Sequence, residues 1–376
     1  MKKRMFVLNT EVSGMNKFLF KELRRHGWQL QIYDVPFPTV LKWVAKLISF
    51  SLSISRWKKS YDYHLNKLYK SSWCFRWRTK NCEKILKKEK GNFDIVLNMT
   101  GMSAPFIDNN MSECIKYVII TSYTMALSQK YVPWCTYSHE YDNWKLLEQK
   151  LYEKSNLIFT TNENARKSLN TDYGIPLFKC INMGYGLTFD SVPEFEKSYD
   201  SKIILFVGFD FERKGGVILL KAFDMLRKEI PAAKLIIIGP NKAIHKIKQE
   251  GVEFLGPVND RNKVKEHFKK AALFVMPSIC EPFGLVFLEA MAYKLPCIGS
   301  NVDAMPEIIE DGKTGFLVNP TDYVELNKRM KQLLENPILL KQMGDAANLS
   351  LKNKFSWENV GEIVNHHLEE GLKCNE

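Results

Sequence analysis

The sequence predicts an α/β protein built from two doubly wound parallel sheets. Three observations carry this reading. Short apolar runs rich in Val, Ile, Leu and Phe alternate with amphipathic stretches of helical period, as strands buried on both faces of a parallel sheet require. A chain of 376 residues is too long for one ordinary core and suits two. Hydrophobic residues make up 45% and aromatics 12%, enough to fill both cores and to exclude wholesale disorder.

The elements follow in order. The basic start MKKR leads into Met5–Asn9 (MFVLN), an apolar run too short for a signal peptide and without a small-residue cleavage site, so it reads as a strand. A turn over Thr10–Gly14 and a helix near Met15–His26 come next. Gln29–Tyr33, Asp94–Met99, Tyr117–Thr121 and Asn156–Thr161 read as further strands, and Phe178–Asn182 as a sixth. Between Pro36 and Lys90 lies a long helical insertion rich in Trp, Lys and Arg. The polar, acidic stretch Thr188–Ser201 carries a proline and marks the boundary. It separates a first domain, 1–193, from a second, 194–356.

The second half alternates more cleanly. Strands are expected at Lys202–Gly208, Lys234–Gly239, Val252–Gly256, Leu273–Pro277, Pro296–Gly299 and Gly315–Val318. Helices are expected near Val217–Lys228, briefly after Gly239, near Asn262–Ala272 and from Gly284 to Lys294. Three helical segments close the chain, broken at Asn336-Pro337 and Phe355-Ser356, with Ser356 as N-cap of the last. Sheets of this type bind ligands at the carboxyl ends of their strands, and the cleft between two such domains is the expected site.

Charge is lopsided. The net charge is +12, yet residues 1–100 hold 21 Lys/Arg against 7 Asp/Glu, and residues beyond 195 balance at 25 each. A basic first half suggests an anionic partner. Val40–Lys59 mixes Trp43, Leu47, Ile48, Phe50, Leu52 and Trp57 with Lys42, Lys46, Arg56, Lys58 and Lys59, the composition of an interfacial amphipathic helix. Trp73, Trp77, Arg76 and Arg78 extend that character. An anionic membrane surface reached through residues 40–59 fits better than nucleic acid, because no nucleic-acid motif accompanies the charge. An ordinary sheet-covering helix is the competing reading. No apolar run reaches the length of a membrane span. Cys74, Cys82, Cys114, Cys135, Cys180, Cys280, Cys297 and Cys374 show neither C-x-x-C nor zinc spacing, which points to a reducing compartment without disulfides or structural zinc. A cytoplasmic protein, docked on the inner membrane face when it engages the leaflet, is the expectation.

The chemistry concentrates in Ser278–Ala292, SICEPFGLVFLEAMA. A strand ends at Pro277, Glu281-Pro282-Phe283-Gly284 turns, and a helix starts near Gly284. Free N–H groups at such a helix start attract phosphates, and Gly284 allows close approach. Glu281 on the loop and Glu289, about 7 Å into the helix along its axis, can each accept sugar or ribose hydroxyls. Glu289 sits among apolar neighbours, which is unusual for an unpaired carboxylate. A solvated helix-start Glu and a structural ion pair are the alternative.

Glu281 and Glu289 resemble the Glu-x7-Glu element of retaining nucleotide-sugar glycosyltransferases of family 4, in glycosyltransferase group 1. Met305–Val318 (MPEIIEDGKTGFLV) is similar to the family's following stretch, and Val207-Gly208 with Arg213-Lys214-Gly215 resembles its phosphate-binding loop. The likeness is strong over roughly residues 155–365 and an outline before that. It implies the GT-B fold, with the donor held by the second domain and the final helix, 357–376, packing back on the first. It implies that Glu281 contacts donor-sugar hydroxyls and Glu289 the ribose, and that Phe283, Gly284 and Leu285 present backbone amides. Arg213 and Lys214 would neutralise the leaving diphosphate near Gly208, and Gly14 would follow the first strand at a phosphate contact. His139, in TYSHEYDN, is similar to the family's first-domain His near the reacting carbon. The chain departs from the pattern in four places. Phe209 stands where Arg is frequent, Lys294 where Gly is usual, and Val302-Asp303-Ala304 where a Gly-rich turn is usual. Only Gly14 of a usual Gly pair is present.

These expectations make the chain a retaining glycosyltransferase with a nucleotide-sugar donor and a sugar or lipid-linked acceptor, serving cell-surface polysaccharide or glycolipid synthesis. No cofactor is expected, and no metal, since no Asp-x-Asp triplet is present. A nucleotide-sugar epimerase of the same fold and a non-catalytic nucleotide-sugar-binding module are the alternatives.

Overall fold

The computed structural model describes residues 3–10, 14, 16–51, 53–89, 91–105, 115–131, 138–189, 191–240 and 248–373. In chain order the elements are β1 (Arg4–Asn9), α1 (Asn16–Arg25), β2 (Gln29–Asp34), α2 (Thr39–Ile48), α3 (Ile54–Tyr69), α4 (Ser72–Lys88), β3 (Ile95–Asn98), β4 (Lys116–Thr121), α5 (Met125–Tyr131), α6 (Ser138–Lys154), β5 (Leu157–Thr160), α7 (Glu163–Tyr173) and β6 (Cys180–Asn182). Then follow β7 (Ile203–Val207), α8 (Gly216–Glu229), β8 (Lys234–Ile238), β9 (Val252–Gly256), α9 (Arg261–Lys270), β10 (Leu273–Met276), α10 (Leu285–Ala292), β11 (Cys297–Ser300), α11 (Met305–Ile308), β12 (Gly315–Val318), α12 (Tyr323–Leu334), α13 (Pro337–Lys354) and α14 (Trp357–Lys373). The short helix expected after Gly239 falls largely on 241–247, outside the described residues.

The chain divides into two compact units, Met1–Gly184 with Val360–Glu376, and Tyr185–Asn359. In the first, six parallel strands lie in the order β2-β1-β3-β4-β5-β6. The direction of winding therefore reverses between β1 and β3. The apolar runs read from the sequence are the core: Phe6, Leu8, Val96 and Ile119 from the strands meet Phe75, Leu86, Trp144 and Leu151 from the helices. The Trp- and Lys-rich insertion folds as α2, α3 and α4. Only Leu41 and Ala45 of α2 are buried. Trp43 is 65% and Leu47 76% exposed, with Val40, Ile48 and Phe50 exposed beside them. From Val360 onward α14 belongs to this unit. Val364 and Leu368 are buried, Trp28 Nε1 donates to Asn365 Oδ1 at 2.9 Å, and the Gly361 backbone lies against Glu22, where a Cβ would come within 2.7 Å.

The second unit carries six parallel strands in the order β12-β11-β10-β7-β8-β9. Its winding reverses between β7 and β10, and the carboxyl ends of these two strands open the crevice where open α/β sheets bind ligands. The helix breaks expected from sequence have identifiable caps. Asn336 Oδ1 accepts from Leu339 N–H at 3.0 Å ahead of Pro337, and Ser356 Oγ accepts from Asn359 N–H at 3.1 Å.

Candidate functional site

The switch point of the second sheet gathers the charged residues that the sequence singled out there. β7 ends at Val207, and Gly208 follows. A side chain at Gly208 is barred by Lys214, whose Cδ would lie 2.4 Å from the added Cβ. The Lys214 stem thus runs across the end of β7 because residue 208 has no side chain. Its ammonium reaches Glu281 Oε2 at 2.7 Å, with both side chains largely buried. Arg213 Nη1 stands 3.8 Å from the same oxygen. Arg213 is itself fixed: Nε donates to Asp210 Oδ2 at 3.1 Å and Nη1 to Cys280 O at 2.7 Å. The loops after β7 and β10 are tied together by Ile279 N–H on Arg213 O at 2.8 Å.

Gly215 makes this approach feasible. It caps α8 in the left-handed region at φ 74°, and any Cβ there would sit 1.8 Å from Pro277 O. Gly284 plays the matching part for α10 at φ 75°, with Met305, Phe287 and Glu281 closing on the space a side chain would need. No side chain caps the start of α10, so its first turn presents backbone donors. The Phe283 ring is buried 4.7 Å from Tyr185, which anchors the loop and leaves its backbone, with that of Leu285, as the part available to a ligand.

Glu289, on α10, is partly buried. Burial raises its pKa above the ordinary carboxylate value, and the nearby Arg261 opposes the shift. No hydrogen bond or ion pair engages it among the described residues.

Residues 190–349 match the family model described as glycosyl transferases group 1. This stretch of the chain is similar to that family. Within it, a phosphatidyl-myo-inositol mannosyltransferase of Mycobacterium leprae is 31% identical over 170 residues, 43% of this chain and 45% of that protein. The matched stretch spans less than half the length of that relative. Among solved structures, the sucrose-phosphate synthase of Thermosynechococcus elongatus superposes with a TM-score of 0.70 over the whole of both chains at 16% identity. An Anabaena protein solved in complex with UDP gives 0.66 over 98% of this chain and 100% of its own at 14% identity. These likenesses establish the GT-B fold class of two Rossmann-like domains.

The departures of this stretch from the expected pattern have structural readings. Lys294 and Asp303, where glycines are usual, lie at φ 55° and 49°. The backbone keeps the left-handed conformation that glycine favours and imposes it on other residues. Asp303 uses its side chain there: Oδ2 accepts the backbone N–H of Glu281 at 2.8 Å. Sequence reasoning counted Asp303 only as a departure, and no local signal ties it to a residue 22 positions earlier. Ser278, whose hydroxyl lies 3.4 Å from Glu281 Oε2, was likewise not singled out. Phe209 is 77% exposed, so its ring takes no part in holding the charged cluster together. Gly14, in the first unit, is exposed at φ 71° with open space where a side chain would go. His139 lies in the first turn of α6, and its side chain is outside the described residues.

Proposed function

We propose that the chain is a retaining glycosyltransferase that moves a sugar from a nucleoside diphosphate to an acceptor hydroxyl. The observation that carries this reading is the pairing of Arg213 and Lys214 with Glu281 at the switch point of a group 1 domain. In the reaction the bond from the anomeric carbon to the diphosphate oxygen breaks. The acceptor oxygen bonds to the same face of that carbon, and its proton passes to the leaving phosphate. Negative charge grows on the diphosphate, and cations held in place beforehand stabilise it most. Arg213 fits that part because Asp210 and Cys280 already fix its guanidinium. Lys214 supplies a second charge, so this reading runs without a metal.

Glu281 is assigned to donor-sugar hydroxyls. Its Oε2 is occupied by Lys214, which leaves Oε1 for the ligand. Glu289 is assigned to the ribose, and the backbone of Phe283, Gly284 and Leu285 to the sugar and phosphates. His139 keeps the role the resemblance gives it, near the reacting carbon. Uridine is the first nucleoside to try, since UDP is bound in the Anabaena structure.

The acceptor is assigned to a lipid-linked or surface glycan, in keeping with the mannosyltransferase among the relatives. No helix among the described residues is long and apolar enough to cross a membrane. The exposed Trp43, Leu47, Ile48 and Phe50, interleaved with Lys42 and Lys46, support reversible docking of α2 on an anionic leaflet.

Incubation with a panel of nucleotide sugars tests the reading. Nucleoside diphosphate should appear only when an acceptor is added, the product should keep the anomeric configuration, and chelators should leave the rate intact. Sugar conversion without an acceptor indicates an epimerase. Tight donor binding with no turnover on any acceptor indicates a binding module.

A further inference from the structure

Arg78, midway along α4, is 1% exposed. Its Nη1 donates to Met102 O at 3.3 Å, and the centre of its guanidinium lies 3.8 Å from the centroid of the Phe37 ring. Nε and Nη2 are buried and find no hydrogen-bond partner among the described residues. The group's pKa is lowered by burial, and the neighbours that oppose the shift are Cys74, Cys82 and Tyr69, with no carboxylate among them. A guanidinium buried without a counter-ion is costly and is seldom kept for stability alone.

Its place in the fold points to a ligand. Met102 lies in the loop after β3, and Phe37 in the segment after β2. β1 pairs with β2 on one side and β3 on the other, so the segments around Arg78 follow the carboxyl ends of β2 and β3, flanking β1 and the switch point between β1 and β3, the end of the sheet where open α/β sheets bind. The same loop after β3 holds a second orphan donor, the buried Thr100 hydroxyl, which also lacks a partner. The Nε–Nη2 edge, unpartnered among the described residues, is the fork that matches two oxygens of an oxyanion, and a hydroxyl two residues before Met102 in the same loop suits a third. Phe37 lies against the face of the guanidinium. Its ring is only partly buried, packs on Tyr69 at 4.2 Å and stands just before α2.

We propose that Arg78, with Thr100, binds a phosphate group of the acceptor once Phe37 swings aside. The acceptor assignment rests on the transferase reading; the phosphate site does not. The phosphate can come from a lipid headgroup beneath a docked α2 or from a soluble phosphate ester.

The full chain, labelled throughout with nitrogen-15 so that arginine side-chain and backbone N–H signals are both seen, tests this by NMR. The Nε–H signal that is missing in Arg78→Met is that of Arg78. Inorganic phosphate should shift this signal saturably, and chloride or acetate at equal ionic strength should not. Phe37→Ala should tighten the phosphate response about tenfold. Arg78→Lys, a point charge without the fork, should weaken phosphate binding about tenfold as read from the Thr100 backbone signal. In chloride alone, Arg78→Met should melt at or above the wild-type temperature, because an unpaired buried charge has been replaced by an apolar side chain. Co-sedimentation with phosphatidic acid vesicles that falls tenfold in Arg78→Met identifies the lipid source; a phosphate response with unchanged sedimentation identifies the soluble one. An Arg78 signal unmoved by phosphate, or moved equally by acetate, overturns the site. A phosphate response in a protein that transfers no sugar overturns the transferase reading and leaves the site standing.

Discussion

Replacement of Lys214 by Met separates the structural from the chemical work of the charged cluster. The substitution keeps the length of the stem that crosses Gly208 and removes the ammonium 2.7 Å from Glu281. Removing one partner of a buried ion pair costs about 3–5 kcal/mol, because the other charge stays buried. Here Arg213 remains 3.8 Å from the same oxygen. Coulombic attraction scales as the inverse of distance, so Arg213 supplies about 0.7 of the attraction that Lys214 gave (2.7/3.8). The cost should therefore fall below that range, at about 2 kcal/mol. For a unit of this size that is a drop of about 4–8 °C in the melting transition. The double variant Lys214→Met/Glu281→Gln removes the stranded charge and should recover most of the loss, giving a coupling energy of about 1–2 kcal/mol in a double-mutant cycle. Turnover should behave differently. It should fall about 10²-fold or more in Lys214→Met and stay low in the double variant, since the leaving diphosphate has lost a cation in both. Thermal unfolding and steady-state kinetics on the same four proteins decide the matter. A Lys214→Met protein that melts with the wild type, or a double variant that regains turnover, would refute the reasoning.

Arg213→Ala should lower turnover comparably, and Phe209→Arg on that background should restore about tenfold, because residue 209 follows the same strand end; unchanged kinetics in Arg213→Ala would show that another group grips the diphosphate. Glu289→Gln should weaken nucleotide-sugar binding, measured by calorimetry, with little change in turnover at saturation. Burial raises the Glu289 pKa, so its charged form opposes folding at neutral pH. The Gln variant should thus be the more stable apo-protein at pH 7, and its advantage should vanish as pH falls below the ordinary carboxylate value of about 4.3; melting curves across pH 3–8 read this directly. Gly215→Ala should cost more than about 3 kcal/mol, since the methyl group would strike Pro277 O from a left-handed backbone. Denaturant unfolding that leaves Gly215→Ala near wild type would contradict that close approach.

The sheets were legible because parallel strands are apolar on both faces, so KIILFVG or DIVLNM is recognisable without its neighbours. The loop around Glu281 was legible for a related reason: strand end, turn and helix start lie within one short stretch, and the chemistry sits on it. Arg213 and Lys214 needed the resemblance, because a basic pair on a loop has no local signature. Asp303 could not be found from sequence. Its importance lies in one hydrogen bond to a backbone N–H on another loop, and its left-handed backbone is set by that loop's packing. Arg78 was misleading in its own context. It stands in WCFRWRTK between other basic residues, where solvation is the natural reading, and only the packing of α4 beneath Phe37 buries it. The helical insertion was recognised as helical, yet its periodicity did not say that Trp43 and Leu47 would stay outside.

The return of α14 to the first unit has a consequence for the order of assembly. Residues 185–359 hold every strand of the second sheet, so that unit is complete as soon as they have left the ribosome. The first unit begins earlier and finishes later. Lys3 awaits Glu369, Trp28 awaits Asn365, and Phe159 awaits His367. During synthesis at about 5–20 residues per second, the older half therefore waits on the younger one, with the groove meant for Val364 and Leu368 open to water. Nascent chains stalled before residue 360 should show a protease-resistant second unit beside a first unit still open to cleavage. Closure of the half that was made first thus depends on residues 360–369, which are translated only after the whole of the second sheet.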